Sequence, residues 1–105
     1  MTGLSETEEK TVIDIISRVA PDCDVFMFGS RYLRTHKDHS DLDLAFALPQ
    51  GAKLTLARLG EIKDAFCESN LVFRVDVVDY NGVEPYFREI IDGGCKRIYL
   101  SRFAK

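Results

Sequence analysis

With 105 residues, 46% of them hydrophobic and 30% charged, the chain has the length and composition of one small globular domain, over residues 1–105. No apolar run approaches the ~20 residues of a membrane helix. The first residues lack a signal peptide's pattern, so we expect a cytoplasmic protein. The formal net charge of −3 argues against a long nucleic acid partner, because phosphate backbones are bound by clustered Lys and Arg.

The first elements along the chain are predicted to be a helix and a buried strand. Residues 4–20 carry apolar side chains at helical intervals, and Ser5 and Glu8 have the spacing of an N-terminal capping box. Residues 25–28 then form a short, continuous apolar run, which is typical of a strand buried on both faces. A Gly-Ser pair ends this strand.

A second strand is predicted over residues 41–48, after a polar segment (31–40) that we interpret as a helical turn and a loop. Its large apolar side chains occupy alternate positions and therefore share one face: Leu42, Leu44, Phe46 and Leu48. The opposite face carries Asp41 and Asp43, followed by two alanines. A Pro-Gln-Gly segment (49–51) ends the strand with turn residues.

The second half of the chain predicts two further helices, each followed by a strand. Residues 52–69 form a helix with apolar side chains at helical intervals, and residues 71–78 form a third, alternating strand. Residues 83–92 suit a short helix with a proline near its start, and residues 95–101 form the last strand. This order predicts an α/β (α+β) fold, a small mixed β-sheet with helices packed on it.

The cysteines and histidines do not form a metal-binding pattern. Three cysteines are an odd number and lie far apart, so we expect Cys23, Cys67 and Cys95 to be small buried apolar residues. His36 and His39 stand three residues apart in a charged segment without a nearby cysteine. We therefore interpret them as exposed loop residues rather than metal ligands.

Candidate metal ligands are two aspartates on the second predicted strand and one on the third. Asp41 and Asp43 project from the same face of a strand, where their like charges repel unless a cation lies between them. Asp76 shares their inward alternation. Three carboxylates from adjacent strands can hold two Mg²⁺ ions that act in phosphoryl transfer. An Asp-x-Asp pair alone can equally begin a strand in a solvated turn.

The Gly-Ser pair is a candidate phosphate-binding turn. A strand that opens into a helical turn presents backbone N–H groups to an anion. Gly29 lacks a Cβ, so a phosphate can approach the backbone, and Ser30 can donate from its hydroxyl. Arg31 follows this turn and Arg74 shares a face with Asp76. Each arginine is a candidate to neutralise phosphate, or is a solvated side chain or an ion-pair partner of a site aspartate.

Gly29-Ser30, followed after ten residues by an Asp-Leu-Asp segment (41–43) and later by Asp76, resembles the nucleotidyltransferase superfamily of DNA polymerase β. The combination is most similar to the minimal nucleotidyltransferases, the antitoxin partners of HEPN-family toxins, and more distantly to kanamycin nucleotidyltransferase. The resemblance covers nearly the whole chain. It implies that the Gly-Ser turn holds the triphosphate of ATP and that the three aspartates bind two Mg²⁺ ions. Because Arg31 directly follows the turn, we predict that it also binds the nucleotide.

The resemblance implies an enzyme that uses Mg²⁺ to transfer AMP from ATP to a hydroxyl, in the antitoxins a tyrosine of the partner. We expect a HEPN-family toxin as that partner, in a hetero-oligomer, or a second copy of the chain in a homo-oligomer, because we expect no separate acceptor-binding domain. Candidate contact residues are Tyr86, Phe87 and Phe103. Tyr32 is open as a base-stacking or modified residue. Two alternatives remain: an antitoxin that only binds its toxin, and an aminoglycoside-like small-molecule nucleotidyltransferase.

Overall fold

A computed structural model describes residues 4–33 and 40–102 of the chain. In chain order, the helices and strands of these ranges are α1 (Glu6–Val19), β1 (Asp24–Phe28), α2 (Ser30–Leu33), β2 (Leu42–Ala47), α3 (Leu56–Cys67), β3 (Val75–Asp79), α4 (Pro85–Asp92) and β4 (Cys95–Tyr99). A single 3₁₀ turn, Pro49–Gly51, follows β2 where turn residues were expected. The predictions for His36, His39 and Phe103 concern residues outside the described ranges.

The strands form one four-stranded sheet in the order β3-β2-β1-β4. β1 pairs antiparallel with both β2 and β4, whereas β2 and β3 run parallel. The parallel pair is possible because α3 carries the chain back across the sheet between the two strands. The predicted mixed sheet with packed helices is therefore confirmed.

Helix α1 begins with the predicted capping box. The Ser5 hydroxyl accepts from the backbone N–H of Glu8 at 3.1 Å, and the Glu8 carboxylate accepts from the Ser5 N–H at 3.0 Å. These bonds satisfy two backbone donors that a helix N-terminus leaves unpaired, and such a cap contributes about 0.5–2 kcal/mol. The cap fixes the start of the helix that covers one face of the sheet.

The larger hydrophobic core lies between the sheet and helices α1 and α3. Its central strand is β2, whose alternate side chains Leu42, Leu44 and Phe46 are fully buried, as the sequence pattern predicted. The Phe46 ring meets the Phe66 ring of α3 edge-on, with centroids 6.5 Å apart. Burying each such side chain contributes about 1.5–3 kcal/mol, so this face anchors β2 in the sheet.

A second, smaller core covers the opposite face of the sheet. Its buried residues are Phe28 of β1, Ala45 of β2 and Ile91 of α4. The Phe28 ring packs edge-to-face on Phe87 of α4, with centroids 5.8 Å apart. Because residues of β2 alternate between faces, Asp43 belongs to this α4-covered side of the sheet.

The predicted starts of one strand and one helix, and the predicted burial of one cysteine, are wrong. The third strand begins only at Val75, not at residue 71, because β2 starts at Leu42, the register partner of Val75, and offers nothing to pair with earlier residues. Helix α3 begins at Leu56 rather than near residue 52, since the Thr55 side chain caps it. Cys67 lies on the exposed side of α3 and is not buried.

The other two cysteines follow the prediction more closely. Cys23 is fully buried, and burial followed by the charge of Asp22 raises the pKa of its thiol to about 12. Cys95 at the start of β4 is half-buried. Burial makes the thiolate form costly, so Cys23 acts as a small apolar core residue.

Candidate active site

The predicted turn and the three predicted aspartates meet at one end of the sheet. β1 ends at Phe28, which is paired with Asp43 of β2, and Gly29 follows directly. In the parallel pair, Asp43 lies opposite Asp76 of β3. Asp41 stands two residues before Asp43, immediately ahead of β2. The sheet register thus brings Asp43 and Asp76, 33 positions apart in sequence, side by side.

Gly29 adopts a backbone conformation that favours glycine, with φ at +76°. A Cβ atom added at this position would overlap the Oδ2 atom of Asp43. Ser30 begins α2 directly after the turn, and the Gly29 carbonyl accepts from the N–H of Leu33 at 3.0 Å. The absent side chain therefore leaves space for the Asp43 carboxylate, a reason for glycine that the sequence pattern alone did not reveal.

Asp43 carries the most perturbed carboxyl group of the site. Burial, then the neighbouring charges of Asp76 and Asp41, raise its pKa from 3.8 to about 6, and a hydrogen bond with the Asp76 side chain adds to the shift. Arg74 acts in the opposite direction on the pKa of Asp43. A carboxyl group crowded by two others binds a proton more tightly, and a divalent cation would relieve the same repulsion.

Arg74 lies directly over the acidic cluster. Its guanidinium nitrogen Nη2 is 3.0 Å from Asp41 Oδ2, and its Nε is 3.6 Å from Asp76 Oδ1. The side chains of Arg74, Asp41 and Asp76 are 74%, 40% and 45% exposed. Of the roles that the sequence left open for Arg74, the structure shows an ion pair with site aspartates.

Arg31 is buried rather than solvated. It is 2% exposed, and its guanidinium donates to the Ser40 carbonyl oxygen through Nη2 at 3.0 Å and Nε at 3.3 Å. The same group lies over the Phe73 ring, 4.1 Å from its centroid. These contacts tie α2, next to the Gly-Ser turn, to the segments that enter β2 and β3.

Tyr32 is partly buried and packs against two parts of the fold. Its ring lies against Gly94, where an added Cβ would come within 3.1 Å of the ring. The residue is partly buried against the larger core. The Tyr32 side chain therefore packs α2 against the residue that precedes β4.

A cavity of about 620 Å³ opens beside the aspartates. Asp43 and Asp76 form part of its wall, together with Arg74 and with Lys63 of α3. Most of its remaining lining is apolar: Phe28, Phe66, Leu71, Phe73, Val75 and Phe87. Cavities of this size hold small organic ligands. No sequence pattern pointed to Lys63, because its placement depends on how α3 packs beside β3.

The three carboxylates offer only oxygen atoms, the ligands that Mg²⁺ prefers. Among the described residues, however, no three His, Cys, Asp or Glu side chains are grouped closely enough to hold a metal ion as they stand. Asp41 pairs with Arg74, and Asp43 lies opposite Asp76 in the sheet register. The donor set fits a divalent cation, and the side chains must rearrange to bind one.

The raised pKa of Asp43 predicts that the metal-free protein loses stability as the pH rises from about 4 to about 6. In this range Asp43 loses its proton in the unfolded chain, where its pKa is the ordinary 3.8, but keeps it in the folded protein. The equilibrium therefore shifts toward the unfolded state. We expect the free energy of unfolding to fall by about 1–2 kcal/mol, less than the full shift implies, because solvent screens a partly exposed site. Urea unfolding in EDTA measures this.

The matched control for this measurement is Asp43→Asn, which removes the titrating group. Asp22 contributes in the opposite sense, because a hydrogen bond from Arg58 lowers its pKa, so its stabilisation is lost as the pH falls below about 4. The difference between wild type and variant isolates Asp43. Parallel pH profiles for the two proteins would contradict the prediction.

Comparison with known proteins assigns the chain to a family. Residues 10–102 match the family described as polymerase beta, nucleotidyltransferase. The chain therefore belongs to the polymerase β nucleotidyltransferase family, and the predicted enzyme class is confirmed. None of the helices in the described residues is long and apolar enough to cross a membrane.

Individual relatives give a more specific comparison than the family does. The chain is 40% identical over 96 residues to the probable protein adenylyltransferase MntA of Haemophilus influenzae, with 90% of this chain and 79% of that protein covered. A crystal structure of a toxin–antitoxin with AMP-PNP has a TM-score of 0.73 at 21% identity, covering 90% of this chain and 74% of that one. The resemblance to minimal nucleotidyltransferases is thereby confirmed.

A third similarity is to one chain in the structure of a tri-AMPylated Shewanella oneidensis HEPN toxin in complex with MNT antitoxin. The TM-score is 0.65 at 20% identity, covering 87% of this chain and 68% of the matched one. At such low identity the two structural likenesses establish the fold. They agree with the predicted nucleotidyltransferase architecture.

Proposed function

We propose that this chain is a magnesium-dependent adenylyltransferase that transfers AMP from ATP to a tyrosine hydroxyl of a HEPN-type toxin. The observation that carries the proposal is the register of Asp43 and Asp76 on adjacent strands, beside the Gly29 turn. Membership of the nucleotidyltransferase family supports nucleotidyl transfer. A relative described as a probable protein adenylyltransferase supports a protein acceptor.

In this proposal, the Gly29-Ser30 turn receives the phosphates of ATP. Ser30 adds a hydroxyl donor at the start of α2, directly after Gly29. The guanidinium of Arg31 is engaged by the Ser40 carbonyl and the Phe73 ring. We therefore assign Arg31 the role of positioning the turn, in place of the direct phosphate contact that the sequence predicted.

Asp41, Asp43 and Asp76 are proposed to hold two Mg²⁺ ions. Bound there, the metal would lower the pKa of the acceptor hydroxyl and stabilise the charge on the phosphates. The acceptor oxygen forms a bond to the α-phosphorus while the bond to pyrophosphate breaks. We propose that Asp76 helps to take the hydroxyl proton, which a tyrosine with a pKa near 10 retains at neutral pH.

A protein acceptor agrees with the charge of the chain. With a formal net charge of −3, the chain lacks the basic excess that favours binding to nucleic acid backbones. Adding AMP to a toxin tyrosine would give that surface bulk and negative charge. Such a group would repel an RNA substrate, which is a direct route from transfer to neutralisation.

A second candidate function is neutralisation of the toxin by binding alone. Tyr86 and Ile90 lie one turn apart on α4 and are 68% and 60% exposed, so they offer an apolar contact surface. Phe87 was predicted to share that surface but instead packs on Phe28. A binding-only antitoxin would need this helix face and no metal site.

Co-expression followed by intact-mass spectrometry of the HEPN-type partner tests the proposal. With the wild-type chain, we expect mass additions of AMP on the partner. The double variant Asp41→Asn/Asp43→Asn should abolish them, whereas Asp64→Asn, an exposed aspartate on α3, should leave them unchanged. An unmodified partner that both wild type and double variant neutralise would establish the binding-only function.

A further inference from the structure

The ion pairs of Arg74 join two of the candidate metal ligands across two strands. Asp41 stands before β2, and Asp76 lies on β3, yet one guanidinium reaches both, at 3.0 Å and 3.6 Å. Arg74 precedes β3, and its carbonyl accepts from the N–H of Leu42 at 2.9 Å. Its backbone is therefore fixed by the sheet, while its side chain is 74% exposed.

The position of this guanidinium conflicts with metal binding. A divalent cation between Asp41 and Asp76 needs the same carboxylate oxygens that Arg74 contacts. Two positive groups at one site also repel each other. Among the described residues, no three acidic side chains are grouped closely enough for a metal while these contacts are present.

We propose that Arg74 is the built-in counter-ion of the metal-free site and must leave Asp41 and Asp76 when Mg²⁺ and ATP bind. The inference rests on the proposed function. The cavity of about 620 Å³, which Arg74 lines, provides room for the side chain to move. The negatively charged phosphates of ATP supply a new partner for the displaced guanidinium.

A coupling between the two ligands follows. Metal alone must displace Arg74 without compensation, so its affinity is reduced. Metal together with nucleotide displaces Arg74 toward phosphate oxygens, and the loss is recovered. Arg74 thus makes the two ligands bind cooperatively and keeps the acidic cluster from collecting free cations in the absence of nucleotide.

The test is Mn²⁺ binding followed by electron paramagnetic resonance, with and without a non-hydrolysable ATP analogue. The variants are Arg74→Gln, Arg74→Lys and the control Arg97→Gln, an exposed arginine on β4 at the opposite edge of the sheet. Without nucleotide, Arg74→Gln should bind Mn²⁺ about three- to tenfold more tightly than wild type, as removal of exposed ion pairs implies. Arg97→Gln should match wild type, and Arg74→Lys should be intermediate.

With the ATP analogue present, the advantage of Arg74→Gln should disappear or reverse. If Arg74→Gln and Arg97→Gln bind Mn²⁺ equally in the absence of nucleotide, the counter-ion role of Arg74 is overturned, because only net charge matters. If the advantage of Arg74→Gln persists unchanged with the analogue, the coupling is overturned. If the wild type binds no Mn²⁺ under either condition, the proposed function itself fails.

Discussion

Replacing Asp43 by asparagine should reduce AMP transfer at least about a thousandfold, because a metal ligand contributes several kcal/mol of transition-state stabilisation. Asp43 is the central carboxylate of the site. It is paired in register with Asp76, and its Oδ2 atom lies where a Cβ atom on Gly29 would be. An amide at this position cannot supply the anionic oxygen that a hard cation requires. Transfer is measured as labelled AMP incorporated into the partner from ATP.

The same substitution should leave the fold intact and raise the stability of the metal-free protein near neutral pH. The burial penalty and the repulsion that raise the pKa of Asp43 are both removed when the group is neutral. Loss of transfer with a higher midpoint of thermal unfolding in EDTA therefore separates catalysis from folding. Full transfer by the Asp43→Asn protein would contradict the assignment of the metal site.

Local patterns predicted most of the elements because the forces behind them act over a few residues. The capping box of Ser5 and Glu8 was readable from spacing, and both of its hydrogen bonds are present. The alternation along β2 correctly placed Leu42 and Leu44 in the core and Asp43 on the other face. Side-chain period and helix capping are properties of the sequence itself.

The pairing between strands was harder to predict from the sequence. Residues 71–74 alternate like the strand that follows them, but β3 begins only at Val75, where β2 supplies a neighbour. The extent of a strand depends on its partner's ends, which the alternation does not encode. For the same reason, the sequence could place Asp43 and Asp76 on one face but could not give their register.

The two arginines of the site show that sequence spacing does not predict the contacts of a side chain. The sequence made both arginines candidates to neutralise phosphate and predicted nucleotide binding for Arg31. In the structure, Arg31 is buried on Ser40 and Phe73, whereas Arg74 is exposed over two carboxylates. The difference arises from contacts between segments far apart in the chain. Charge and neighbourhood in sequence do not distinguish a positioning group from a counter-ion.

Replacing Gly29 by alanine is expected to lower stability by about 1–2 kcal/mol, because its positive φ is unfavourable for a residue with a Cβ. The new methyl group would also overlap Asp43 Oδ2, the end of a side chain that can rotate away. Rotation limits the further loss of stability but moves a proposed metal ligand. A displacement of about 1 Å can cost a hundredfold in rate, so we expect transfer to fall by at least that factor.

Gly51→Ala is the matched control, because it introduces the same strain without the crowding. Gly51 has φ at +75°, and an added Cβ would meet nothing within 4 Å. It should therefore lose similar stability in urea unfolding while retaining transfer activity. Since the backbone strain is shared, the excess loss of transfer in Gly29→Ala measures the displacement of Asp43. Equal transfer by the two variants would show that the space over Gly29 does not control the position of Asp43, whereas a large excess loss would assign to this glycine the placement of the central carboxylate.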